Sequence, residues 1–303
     1  MSSRGWILFL AMSLIWGIPY LLIKIAVEGV SVPVLVFTRV AVGAAVLLPL
    51  ALSRRTVTIV RNHWKALGGF AFFEIIAAWW LLSDAERHLT SSMTGLLIAA
   101  APIFAAVLDR LTGGERLGAK RILGLAVGIS GVAVLAGPHI GGSTWPIVEV
   151  LLVATCYAIA PLIAARHLND VPALPMTAVC LGFAALVYAA PAAATWPDEM
   201  PSTRVLLALG GLAVICTALA FLVFFALIRE VGAARALVFT YVNPVVALAA
   251  GVIVLNEPLT PWNIVALVLI LIGCVLATRR HDAATTEAAT LPASPVAPGP
   301  RTQ

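Results

Sequence analysis

Three ionisable residues stand where an apolar chain least tolerates them: Lys24, Arg39 and Glu74 each lie inside a long run of apolar residues. Charge at depth in lipid is costly, and such groups ordinarily face a protein interior, a partner or an aqueous path. Arg39, in FTRVAVGAA, is placed to grip a substrate carboxylate. The alternative is one charge network of Lys24, Arg39 and Glu74, with Arg39 and Glu74 as a static strut. Glu74, in GFAFFEIIAAWW, reads as the lone deep acid. A carboxyl in apolar surroundings is poised to bind and release a proton, which makes Glu74 the candidate for proton coupling.

Aromatic and amide groups accompany these charges. Ser13, Trp16, Tyr20 and Lys24 recur at steps of three and four and so share one helical face. Trp16 and Tyr20 either wall a cavity or pack as core, and Lys24 either joins the network or snorkels. Of Trp79 and Trp80, one is expected to stack on a ring or cation and the other to mark an interface. Tyr157, Tyr241 and Asn243 complete the candidates, Asn243 either lining the site or satisfying carbonyls freed by Pro244. The candidate substrate-binding set is therefore Trp16, Tyr20, Arg39, Trp79, Tyr157, Tyr241 and Asn243. Thr217 is expected to bond back to its own helix.

The elements that must position these residues are membrane helices. The chain is 61% hydrophobic and 11% charged, against roughly half and a quarter in soluble domains. About 20 apolar residues cross a hydrocarbon core about 30 Å thick, and the sequence supplies ten such runs, at about 6–27, 32–52, 66–83, 92–111, 122–136, 147–165, 172–194, 205–228, 236–255 and 264–277. A basic loop with Arg54, Arg55, Arg61 and Lys65 precedes the third. The first run contains Lys24 and exceeds the apolar core of a cleaved leader, so it is read as a retained span.

The runs form two copies of one unit. Pro244 stands 142 residues after Pro102 (244 − 102), and Glu257 follows Glu115, Leu259 follows Leu117 and Gly273 follows Gly131 at the same offset. Arg116, Lys120 and Arg121 of the first copy become Pro258, Trp262 and Asn263 in the second. Cytoplasmic connections carry the Lys/Arg excess, so equivalent turns belong on opposite membrane faces. Five spans per copy produce that inversion, a construction shared by secondary transporters. With both termini cytoplasmic, all of the 19 Lys and Arg except Arg87, Arg204, Lys24 and Arg39 fall on the cytoplasmic side. Trp6, Trp64, Trp145, Trp196 and Trp262 stand at run edges, where interfacial aromatics belong.

The fold class is thus all-α and integral to the membrane, ten transmembrane helices in two inverted five-helix repeats. Residues 1–136 form the first repeat, 137–278 the second, and 279–303 an Ala/Thr/Pro-rich tail expected to be disordered. Gly124, Gly128 and Gly131 make a small face for close helix packing, within the chain or in a homodimer. Glu115 and Glu257 are expected to cap helix N-termini.

Several classes of chemistry lack their residues. Cys156, Cys180, Cys216 and Cys274 lie in apolar runs without metal-ligand spacing, so no metal or other cofactor is expected. No aromatic-interleaved basic patch points to nucleic acid. No phosphate loop points to a primary pump. His63, His88, His139, His167 and His281 read as loop or tail residues, away from Glu74, so an enzyme is not expected. The remaining alternative to a transporter is a lipid-handling or scaffold membrane protein.

At these residues the chain resembles the drug/metabolite transporter superfamily, in its ten-span EamA-type branch. The resemblance covers about residues 6–278 and rests on Trp16, Gly17 and Lys24, on Arg39, and on the repeated Pro–turn–Glu–Gly series Pro102, Glu115, Gly131 and Pro244, Glu257, Gly273. It implies a central cavity between two inverted halves and export or exchange of a small metabolite, amino acid or drug by alternating access, in the cell membrane. Tyr157 stands where the family's second first-span tryptophan is usual.

Overall fold

In lipid no water can satisfy backbone N–H and C=O groups, so an apolar chain of this kind closes its hydrogen bonds within helices. The computed structural model describes residues 1–113, 118–137 and 144–278, the side chains of Arg55, Ala233 and Ala234 excepted. The Glu115 cap, His139 and the tail from 279 lie outside the described residues. Ten helices follow in order: α1 Ser3–Ala26, α2 Val32–Ala51, α3 Thr56–Ala85, α4 Ser91–Leu111, α5 Ala119–Ala136, α6 Trp145–His167, α7 Ala173–Ala194, α8 Thr203–Val231, α9 Asn243–Leu255 and α10 Pro261–Thr278. Nine of them are long and apolar enough to cross a membrane among the described residues, and α9 is a shorter apolar helix. A 3-10 segment, Leu237–Tyr241, leads into α9 in place of the uninterrupted span that the sequence suggests from 236. The expected basic loop before the third span is helix as well. Arg54–Ala71 is continuous with α3 apart from a kink at His63, which therefore lies in a helix and faces Asp170 at 3.5 Å.

The two copies are visible in their irregularities. α4 breaks at Ala99–Ala100 and restarts at Ala101, before Pro102; at the 142-residue offset, α9 starts at Asn243, before Pro244. α3 widens to a π-helix over Phe72–Ala77, and α8 does so over Gly211–Leu219, which covers the equivalent residues. α1 breaks between Ile15 and Pro19, because Pro19 has no N–H to donate. Pro161, its counterpart by offset, sits inside an unbroken α6. That proline echoes Pro19 in sequence and not in shape.

The packing obeys the same exchange of halves. α5 pairs with α10 and α2 with α7, each with its own counterpart, while α3 lies on α6 as α8 lies on α1. Side-chain links fix the ends. Ser31 meets Thr195 at 2.7 Å and Glu257 takes hydrogen bonds from Ser91 and Ser92, which gathers the 27–31, 86–90, 195–202 and 256–260 connections at one end. Arg166 donates to the Thr112 carbonyl and Arg121 to the Ala277 carbonyl at the other. The turn after α4 and its equivalent after α9 thus lie at opposite ends, which is the inversion. The glycine face of α5 is used inside the chain: a Cβ on Gly124 would meet the Ala277 nitrogen at 2.6 Å, and one on Gly131 would meet Ile270 Cγ1 at 2.8 Å. The homodimer expectation loses the support it drew from that face. Trp6, Trp64, Trp145, Trp196 and Trp262 are all exposed.

Candidate functional site

Each helix irregularity leaves backbone carbonyls without their usual donors, and side chains from other helices supply replacements. The π-helix of α3 turns its Ile76 carbonyl to the Tyr188 hydroxyl of α7, which donates at 2.6 Å. The break in α4 leaves Ala99 oxygen to the Cys274 thiol of α10, at 3.0 Å. In the break of α1, Gly17 N donates to Leu14 oxygen and leaves Ser13 oxygen free. Asn243 fills that place: in the orientation that satisfies its amide, its nitrogen donates to the carbonyls of Ser13 and Phe239, 3.2 Å each. Asn243 is therefore a tie between α1 and the start of α9, on carbonyls other than the one that Pro244 leaves without a donor.

The same irregularities assemble a polar cluster. Arg39 on α2 is buried, and its Nε donates to Thr217 Oγ1 of α8 at 2.9 Å. Thr217 donates in turn to Leu212 oxygen at 2.9 Å, a five-residue step made available by the π-helix. The Arg39 guanidinium carbon lies 3.6 Å from the ring centroid of Trp79 on α3, a cation–π contact. Tyr20 and Tyr157 face the same guanidinium, and the Trp79 side chain adjoins the Tyr157 hydroxyl. Among the described residues no carboxylate lies within ion-pair distance of Arg39. A buried cation with one nitrogen fixed, an aromatic ring beneath it and two phenols beside it is equipped to receive an anionic group.

Other candidates fall elsewhere. Trp16 and Tyr20 do not share a working face, because the break between them turns the two halves of α1 apart. Trp16 packs among Phe224, Phe239 and Phe221, with ring centroids 5.1, 5.5 and 5.7 Å away. Tyr241 sits 2.9 Å from Thr278 Oγ1, against the Ala100, Ile103, Ile270 and Cys274 cluster. Trp80 is exposed and stacks on Tyr188 at 6.0 Å. The network of Lys24, Arg39 and Glu74 is not joined by ion pairs. Lys24 donates instead to the carbonyls of Glu86 and Leu89, 2.7 Å each, and so closes the C-terminus of α3. Glu74, in the π-helix, makes no ion pair among the described residues and acts electrostatically on Tyr157, Cys156 and Cys180.

Two other acids are buried near the ends of their helices. Glu86 is fully buried and Glu149 nearly so. Glu149 stands inside the apolar run 147–165 and carried the same sequence signal as Glu74, which the sequence reading passed over, whereas Glu86 falls between the runs 66–83 and 92–111, where no apolar context marks it. Glu257 does cap a helix N-terminus, that of α4: its carboxylate accepts from Ser91 N at 2.7 Å, Ser91 Oγ at 2.9 Å and Ser92 N at 2.9 Å. Among the described residues no group of His, Cys, Asp or Glu is arranged to hold a metal ion.

The EamA-like transporter family model matches this chain twice, at residues 3–137 and 144–279. The inner membrane transporter YedA of Escherichia coli K12, whose name calls it uncharacterized, is 27% identical over 88% of each chain. A probable terminal-alkyne amino-acid exporter of Streptantibioticus cattleyicolor is also 27% identical, over 96% of this chain and 98% of its own. The transporter YvbV of Bacillus subtilis is 24% identical over 93% and 94%. One solved crystal structure, 20% identical, superposes with a TM-score of 0.64 over 92% of this chain and shares its fold.

Proposed function

The chain belongs to the EamA-like transporter family, and from that membership we propose that it exports or exchanges a small carboxylate-bearing solute, an amino acid first among them, by alternating access. The observation that carries this reading is Arg39, buried without a carboxylate partner among the described residues, braced by Thr217 and seated on Trp79. A guanidinium binds carboxylate through two parallel hydrogen bonds, and the Thr217 bond occupies Nε while leaving the terminal nitrogens to the solute. Tyr20, Trp79 and Tyr157 form the walls, and the solute side chain lies against them. The amino-acid exporter of Streptantibioticus cattleyicolor supports the choice of class.

In this reading Glu74 carries the coupled proton, and its electrostatic influence on Tyr157, one of the proposed walls, supports that role. The basic residues orient the protein with both termini in the cytoplasm of a cell-membrane transporter. Purified protein in liposomes, supplied with labelled amino acids with and without a pH gradient, tests each part. Gradient-driven flux that disappears in Glu74→Gln supports proton coupling through Glu74. Flux indifferent to both makes the protein a facilitator or exchanger. Flux of neutral or cationic solutes alone removes the carboxylate reading, and no flux of any solute favours a scaffold or lipid-handling protein.

A further inference from the structure

Glu86 is the first residue beyond α3, and it is 0% exposed. Neither carboxylate oxygen has a hydrogen-bond partner. Its position at a helix C-terminus adds the negative end of the helix dipole to that isolation. An ionised carboxylate so placed is strongly disfavoured, since a buried charge without a partner loses its hydration and gains nothing in return. The groups around it come from each neighbouring element: Lys24 and Tyr20 of α1, Arg39 of α2 and Glu257 of the 256–260 connection. Lys24 directs its ammonium to backbone carbonyls, including that of Glu86 itself, rather than to the carboxylate. Nearby in the chain, Asp84 of the last turn of α3 pairs with Arg87, and His88 is exposed. Burial pushes the Glu86 carboxyl well above the usual carboxylate range, Lys24 and Arg39 opposing and Glu257 adding to the rise.

The same connection leads into a tie between the two repeats at this end. Five residues after Glu86, Ser91 and Ser92 hold Glu257 with three hydrogen bonds, tying the start of α4 to the other repeat. We propose that this tie seals the end and that Glu86 is its proton-binding site, protonated while the end is closed and ionised when it opens. Opening then releases the carboxylic acid proton to solvent, and water, Lys24 and Arg39 stabilise the carboxylate that remains. This site is separate from Glu74 and lies at the end of the solute path, on the transporter reading given above. The sign follows from the two states. The closed state binds the proton more tightly, so acid favours closure, and opening is favoured as pH rises from the ordinary glutamate value of about 4.3.

The test is labelling of Met93→Cys by a membrane-impermeant maleimide in full-length protein in nanodiscs, relative to Glu28→Cys. Met93 is buried in the first turn of α4, and Glu28 is exposed at the same end. The ratio corrects for thiol ionisation, and the four native cysteines are buried. From about pH 5 to about pH 9 the ratio should climb by up to about tenfold per pH unit through the titration. Glu86→Gln mimics the protonated form, so it should fold and give a low, pH-independent ratio, while the surface control Arg87→Gln keeps the climb. A climb that persists in Glu86→Gln, or a flat ratio in the parent, overturns the proposal. Labelling needs no solute, so a failure of the transport reading would appear separately, as absent flux with the pH response intact.

Discussion

Loss of the Glu257 carboxylate should unlatch one end of the protein. Its Oε1 accepts from both Ser91 N and Ser91 Oγ, and its Oε2 accepts from Ser92 N. These are charge-assisted bonds to the first N–H groups of α4, where no intrahelical acceptor exists. Removing a helix cap costs about 0.5–2 kcal/mol, and a partly buried charge at a helix terminus is worth up to about 2 kcal/mol more. Glu257→Ala should therefore weaken the closed end by about 0.5–4 kcal/mol, or about twofold to nearly a thousandfold in the closed-to-open ratio. Glu257→Gln keeps one acceptor for Ser91 but turns an NH2 toward the Ser92 N–H, so it should lose about half of that energy. Thiol accessibility at Met93→Cys reads the ratio directly. Equal labelling in the parent and Glu257→Ala, with both proteins folded, would refute the assignment of these three bonds as a latch.

Three further outcomes follow from the packing and the site. Arg39→Lys keeps the charge but not the two-pronged donor, and it should raise KM for a carboxylate solute about ten- to a hundredfold, from about 1.5–3 kcal/mol in charged hydrogen bonds; proteoliposome uptake measures it. Gly273→Ala would put a methyl group onto the Gly128 backbone and force α5 from α10, at about 1–3 kcal/mol, so the melting temperature in detergent should fall, whereas Gly210→Ala, with open space around it, should not lower it through any clash. Tyr188→Phe orphans the Ile76 carbonyl and should cost about 1–3 kcal/mol, seen as a lower melting temperature without a change in the Arg39 environment.

The candidate site was legible in part. Arg39, Tyr20, Trp79 and Tyr157 stood out because a polar or aromatic group inside an apolar run has few other uses, and the structure gathers them. Trp16, Tyr241 and Asn243 carried the same signal, and the structure seats them in an aromatic cluster, beside Thr278 and on backbone carbonyls. Composition cannot separate a group facing a solute from one repairing a broken helix, because both are polar residues at depth. Thr217 was read as bonding to its own helix, and it does so while also bracing Arg39.

The sequence by itself determined the architecture. Lipid leaves backbone groups no solvent, so apolar runs of sufficient length become helices whatever their neighbours do, and a repeated series at one offset with opposite basic content implies two inverted copies. Those are local and periodic properties, carried by residue type alone. The tertiary structure alone decided which polar groups meet. Lys24 finds carbonyls of the 86–90 connection rather than Glu74, Arg39 finds Thr217 across the repeat boundary, and Glu86, just beyond α3, is buried near Lys24, Tyr20, Arg39 and Glu257. Such pairings depend on where helices break and how far each break rotates the residues beyond it. A shift of a fraction of a turn redirects a side chain to another neighbour, and no count along the chain records that rotation.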